Sequence, residues 1–149
     1  MRPVDSEGAR LLGLLATSTR RVKQLTRSLR SRPHVAHVDG RLDIEDGPYG
    51  PEVVVSVDVG FDDGKIVSWV LTGGYDGRNW RTEGSIRFDR TGLGQESVKS
   101  LSAREVEAFE DFLPAFEEAF DSLLRSAEEL ELADALSYDP KPVVRRREC

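Results

Sequence analysis

The side chains with the types and spacing to do chemistry fall at alternate positions along four segments rich in valine and aromatics. Asp58, Arg81, Glu83 and Arg87 are the clearest set. A guanidinium pair beside two carboxylates can hold a small anion or move a proton. The same spacing also describes an ordinary wetted sheet face carrying cross-strand charge pairs. The second description is the simpler one, and ligand binding there is the alternative.

Other signatures of catalysis are missing. The chain has no Gly-x-Ser-x-Gly, no phosphate-binding glycine loop ending in lysine, no cysteine pair and no His-Glu-x-x-His. Those patterns work by placing a nucleophile, a phosphate cradle or metal ligands at set spacings, and without them the sequence points to none of the corresponding reactions. Gly92-Leu93-Gly94 lacks the third glycine of a dinucleotide loop and reads as a connection. His34 and His37 are the only histidines; on a strand they point to opposite faces and cannot chelate together. No catalytic residue, metal or cofactor is assigned.

Charge is distributed unevenly. Residues 1–34 carry eight basic side chains against Asp5 and Glu7, while residues 101–139 carry Arg104 and Arg125 against twelve acids. The basic run (Arg10, Arg20, Arg21, Lys23, Arg27, Arg30, Arg32) and Arg145–Arg147 could meet phosphates, but no aromatic interleaving or helix-turn-helix pattern supports nucleic acid. The acidic run would attract a basic protein surface. Glu117, Glu118, Asp121, Glu128 and Glu129 are its candidate contacts. Tyr75, Arg78 and Trp80, flanking an Asp-Gly turn, have the residue types that concentrate binding energy at protein interfaces.

These side chains must be positioned by helices and strands, and the periodicities predict an α+β fold. Residues 6–31 read as a helix with Leu11, Leu15, Ser18, Val22, Leu25 and Leu29 on one stripe, stopped by Pro33. Residues 35–45 alternate as a strand, with Asp39-Gly40 predicting a bulge or a tight turn. Residues 52–61 are the clearest strand, with Val53, Val55, Val57, Val59 and Phe61 on one face. A three-residue loop, Asp62–Gly64, then pairs Val59 with Val67, Val57 with Trp69 and Val55 with Leu71, which keeps both apolar faces together. Asp76-Gly77 predicts a two-residue turn pairing Tyr75 with Arg78 and Trp69 with Gly84.

Residues 90–101 read as a loop. Ser102 with Glu105 makes a capping box and Leu101 with Val106 a hydrophobic staple, predicting a long helix from there to about Leu136, kinked or divided at Pro114. At 35 residues that helix would span ~52 Å and overhang strands of ~33 Å. The expectation is a four-stranded antiparallel meander with an N-terminal and a long C-terminal helix on one face, in the order α-β-β-β-β-α. Residues 1–139 form the domain and residues 140–149 a flexible basic tail.

At 149 residues with a net charge of −6, the chain has the size of one domain and does not gather polyanions non-specifically. The one cysteine, Cys149, allows no intramolecular disulfide, and no segment is apolar enough to span a membrane, so a cytoplasmic location is expected. The reading that follows is a small non-enzymatic protein-binding module of immunity, adaptor or chaperone type. Its acidic helix takes a partner with a basic surface or builds a homodimer on the overhang beyond Pro114.

Overall fold

The computed structural model describes residues 3–89 and 96–129. Helix α1 (Pro3–Arg30) leads into strands β1 (Val35–Gly47), β2 (Gly50–Phe61), β3 (Ile66–Tyr75), β4 (Trp80–Asp89) and β5 (Glu96–Val106), and helix α2 (Phe109–Glu128) follows. The strands form one antiparallel sheet in the order β1-β2-β3-β4-β5. Both helices cover the same face of it. α1 rests mainly on β1, and α2 on β3, β4 and β5.

The alternating valines dictate that face. Val53, Val55, Val57 and Val59 of β2 are buried, beside Val67, Trp69 and Leu71 of β3 and Ile86 and Phe88 of β4. Burying each such side chain contributes about 1.5–3 kcal/mol before entropy. The β2–β3 register is the one the valine pattern predicts: Val59 opposite Val67, Val57 opposite Trp69, Val55 opposite Leu71. Gly64 closes the connecting turn at φ +93°, where a β-carbon would be strained, and its N–H donates to the Phe61 carbonyl at 2.9 Å.

Three expectations are corrected. First, the sheet has five strands. Residues 96–106, expected as a loop and the first turn of a helix, form β5 along β4. The pairing skips Leu101: Ser100 lies opposite Ser85 and Ser102 opposite Gly84. That bulge swaps the two faces, so Lys99 and Ser102 share the helix side although one is odd and the other even. Ser102 and Glu105 therefore make no capping box. Backbone pairing with β4 satisfies this segment instead.

Second, α2 starts at Phe109 rather than near Ser102 and runs unbroken through Pro114. Its 20 residues span about 30 Å, which matches the strands and leaves no overhang among the described residues. The stretch Leu130–Leu136, the basic tail and Cys149 lie outside the described residues.

Third, the β3–β4 register is two residues off the expected one. Tyr75 lies opposite Trp80, Trp69 opposite Ile86 and Leu71 opposite Gly84. The loop is four residues, Asp76 to Asn79, because the Asp76 carboxylate accepts the backbone N–H groups of Arg78 (2.9 Å) and Asn79 (2.8 Å). An aspartate that satisfies two turn amides stabilises a wider loop than the Asp-Gly pair alone suggests. A shift of two preserves the faces, so the core is unaffected.

Two glycines at the core face, Gly40 and Gly73, make room for the helices. Gly40 does not bulge or split β1. A β-carbon on it would stand 2.5 Å from Thr26 Cγ2 and 2.8 Å from Val22 Cγ1, so α1 sits directly on it. Gly73 does the same for α2, whose Phe116 and Phe112 rings approach to 2.7 and 3.0 Å of the position a β-carbon would take.

One buried polar contact ties α2 to the sheet: Trp69 Nε1 donates to Ser126 Oγ at 3.0 Å, fully inside the core. Ser126→Ala leaves that indole N–H without an acceptor, and the expected cost is about 1–3 kcal/mol. Urea denaturation of the variant checks it, and an unchanged midpoint would show that the contact contributes nothing.

Candidate functional site

The acidic residues of α2 occupy its outer surface, since its buried stripe is Phe109, Phe112, Phe116, Phe120, Leu123 and Ala127. Glu117 and Glu118 are exposed and Asp121 is half-buried. Basic residues from two neighbouring elements reach this surface. Arg21 of α1 bonds Asp121 at 2.6 Å and lies over the Phe120 ring at 5.0 Å. Arg104 of β5 bonds Glu118 at 2.7 Å. Both pairs are about half-exposed, so each contributes only about 0–1 kcal/mol. Glu110, Asp111 and Glu117 have no cationic partner among the described residues. Glu128 and Glu129 lie at the other end of the helix, where Arg32 donates to the Glu128 carbonyl at 2.6 Å.

The basic residues of α1 are largely engaged. Arg10 lies over Phe109 at 5.2 Å, Arg21 and Arg32 meet α2, and Arg30 donates to the Val38 carbonyl at 3.0 Å. Across the seam between the helices the ion pair is Arg21–Asp121, while Arg10, Arg30 and Arg32 meet a ring or a backbone carbonyl. A depression of about 480 Å³ follows this seam, between Arg21, Leu25 and Ser28 on one side and Asp121, Leu124 and Glu128 on the other.

A second depression, about 670 Å³, lies between α2 and β5. Val106, Pro114 and Ala115 form its apolar part, and Asp111, Glu117 and Glu118 its acidic rim, with Arg104 at one side. Sequence reading could not find this groove, because its floor depends on β5 being a strand.

Tyr75, Arg78 and Trp80 do not join the acidic residues. Trp80 is half-buried, its ring 4.9 Å from Phe109 and 5.0 Å from Phe112, which makes it the end of the core. Tyr75 packs on it at 5.4 Å, and Arg78 is exposed at the loop. Tyr49, at the β1–β2 turn and 60% exposed, meets Tyr75 edge-on at 6.4 Å. Its contact with the tip was not legible, since nothing in the sequence relates the two turns.

On the uncovered sheet face, Arg81 and Glu83 come together and Asp58 and Arg87 stay apart from them. Arg81 and Glu83 border a depression of about 140 Å³ above Gly74, with Glu52, Thr72 and Asp76. Arg81 contacts Asp76 (3.8 Å) and Glu105 (3.5 Å). Asp58 and Arg87 share a different row, separated by Ser68. Arg81 and Arg87 are six positions apart along the strand, roughly 20 Å. The four do not form one site.

The turn amides of Asn79 and Arg78, with smaller help from Arg81, hold the Asp76 carboxyl below its ordinary range. A depressed carboxylate stabilises the fold above its unfolded pKa, and that contribution disappears as pH falls through the lower, folded value. The expected result is a melting temperature that drops on acidification below about pH 4, with a shallower drop in Asp76→Ala. Identical acid limbs in the two proteins would contradict it.

Among the described residues no three His, Cys, Asp or Glu side chains are grouped to hold a metal ion. His34 is exposed, with Asp62 3.9 Å away, and the His37 ring lies over Gly60. No helix among the described residues is long and apolar enough to cross a membrane. No family model, curated protein or solved structure matches the chain.

Proposed function

We propose that this chain is a non-enzymatic cytoplasmic protein-binding module whose partner presents a basic surface to α2. The observation that carries the reading is the groove between α2 and β5. It joins an apolar floor (Val106, Pro114, Ala115) to a rim where Asp111 and Glu117 remain unneutralised by the rest of the described chain. A small apolar patch with a charged border is an arrangement that protein interfaces use, and uncompensated charge speeds encounter with an oppositely charged partner. The basic run from Arg10 to Arg32 lacks the interleaved aromatics of a nucleic-acid surface, and Arg21 within it is already paired with Asp121, which argues against nucleic acid. The helix overhang on which a homodimer would be built lies outside the described residues.

Affinity capture from native lysate at low salt, with the wild-type chain beside Asp111→Lys/Glu117→Lys, tests this. The expected result is one protein retained by the wild type, lost from the double variant and released by salt. Equal retention by both would overturn the acidic groove as the binding surface.

The alternative is a small ligand held at the 140 Å³ depression, where Arg81 faces Glu83. It predicts a ligand-induced rise in melting temperature that is lost in Arg81→Ala.

A further inference from the structure

The two edges of the sheet are finished differently. At β1 the outermost strand lies under α1, which rests on it more than on any other strand. Arg30 takes the Val38 carbonyl as an acceptor at 3.0 Å. A strand added beside β1 would have to enter the space alongside that helix. At β5 no described element lies beyond the strand, and α2 is centred further in, across β3 to β5. Val98 stands 61% exposed on this strand, and Lys99, Ser100, Ala103 and Arg104 are exposed too. An edge strand presents a row of backbone N–H and C=O groups that another chain can pair with.

We infer that the partner enters as an extended segment that adds a sixth strand to β5, with a basic side chain on its helix side beside Val106 and uncharged ones opposite Arg104 and Lys99. The inference rests on the protein-binding reading above. The groove supplies the chemistry. A lysine or arginine on the added strand, beside Val106, would lay its aliphatic stem along Pro114 and Ala115 and bring its charged end to Asp111 and Glu117. Backbone pairing would give affinity that is independent of sequence, and the acidic rim would select a basic residue at the one position beside Val106, while Arg104 and Lys99 disfavour cations opposite themselves.

A second copy of this chain fits the edge poorly. Pairing residues 97–106 of two copies, with faces matched across the bulge at Leu101, sets Lys99 opposite Arg104 twice. Like charges directly across a strand pair are destabilising. Arg104, already bonded to Glu118, would also have to accept a second cation beside it.

The test uses the full chain and two acetylated, amidated heptapeptides of equal charge. Each carries a single lysine; one alternates valine with serine around it and the other proline with serine. Proline cannot donate to a strand ladder, so only the valine peptide can add to β5. The expected result is tighter binding of the valine peptide by about tenfold or more, the weight of one or two backbone hydrogen bonds. Slowed amide exchange in β5 should accompany it, with none in β1. In Asp111→Lys/Glu117→Lys the valine peptide should bind at least about tenfold more weakly. Equal binding of both peptides would overturn strand addition and leave the acidic surface standing. Binding of neither would overturn both readings. β5 amides already fully protected before any peptide is added would show the edge occupied, by the rest of the chain or by a second copy that sedimentation would reveal, and would overturn the inference.

Discussion

Phe116→Ala is expected to cost about 3–5 kcal/mol and to lower the melting temperature on the order of 10 °C. The ring is fully buried, at centroid distances of 5.9 Å from Phe112 and 6.3 Å from Phe120. It fills the hollow over Gly73, which the sheet leaves open for it. Truncation therefore opens a void lined by rigid neighbours. The backbone of β3 cannot fill it, because Gly73 has no side chain to move in. The spread in large-to-small costs comes from how far the surroundings can collapse, and here they have little to collapse with. Thermal and urea unfolding measure the loss. A change below about 1 kcal/mol would mean that α2 repacks freely and does not hold the sheet as described.

Gly40→Val is the second large effect, and it works in the opposite direction, by overfilling. A β-carbon at residue 40 would stand 2.5 Å from Thr26 Cγ2 and 2.8 Å from Val22 Cγ1, both well inside contact distance. Thr26 and Val22 are themselves buried, so neither can rotate away into solvent. α1 must lift from β1, and the expected cost is about 1–3 kcal/mol or more. Gly13→Ala provides the control. Nothing lies within 4 Å of that position on the exposed side of α1, and alanine should stabilise the helix by about 0.5–1 kcal/mol. If both substitutions shift stability the same way, α1 does not pack on Gly40.

Where local pattern and burial agreed, the sequence was legible. The β2–β3 hairpin follows from five alternating apolar residues and a glycine at the one turn position that needs positive φ. The stripe of α1 from Ser18 to Leu29 is likewise buried as its spacing implies. β5 was not legible for a physical reason. It contributes little apolar surface, its bulge at Leu101 breaks the period of two, and Ser102 with Glu105 imitates a helix start. Pairing with β4 outweighs that local signal. Phe112 and Ser126 were not legible as core positions, since each stands one residue before an apolar residue, Leu113 or Ala127, that fits the helical period equally well.

The candidate site was legible only in part. The attraction between the basic and acidic helices is realised in Arg21–Asp121. The groove between α2 and β5 was invisible, since one wall of it, Arg104 and Val106, belongs to a strand the sequence disguises. That groove lies beside the edge on which the account depends.

Residue-resolved amide exchange of the free full-length chain tests that edge most directly. The account predicts that alternate amides along residues 96–106, those turned away from β4, exchange about a hundredfold or more faster than the amides of β2 to β4. Uniform protection along β5, matching the central strands, would mean the edge is covered, and the docking surface proposed here would not exist.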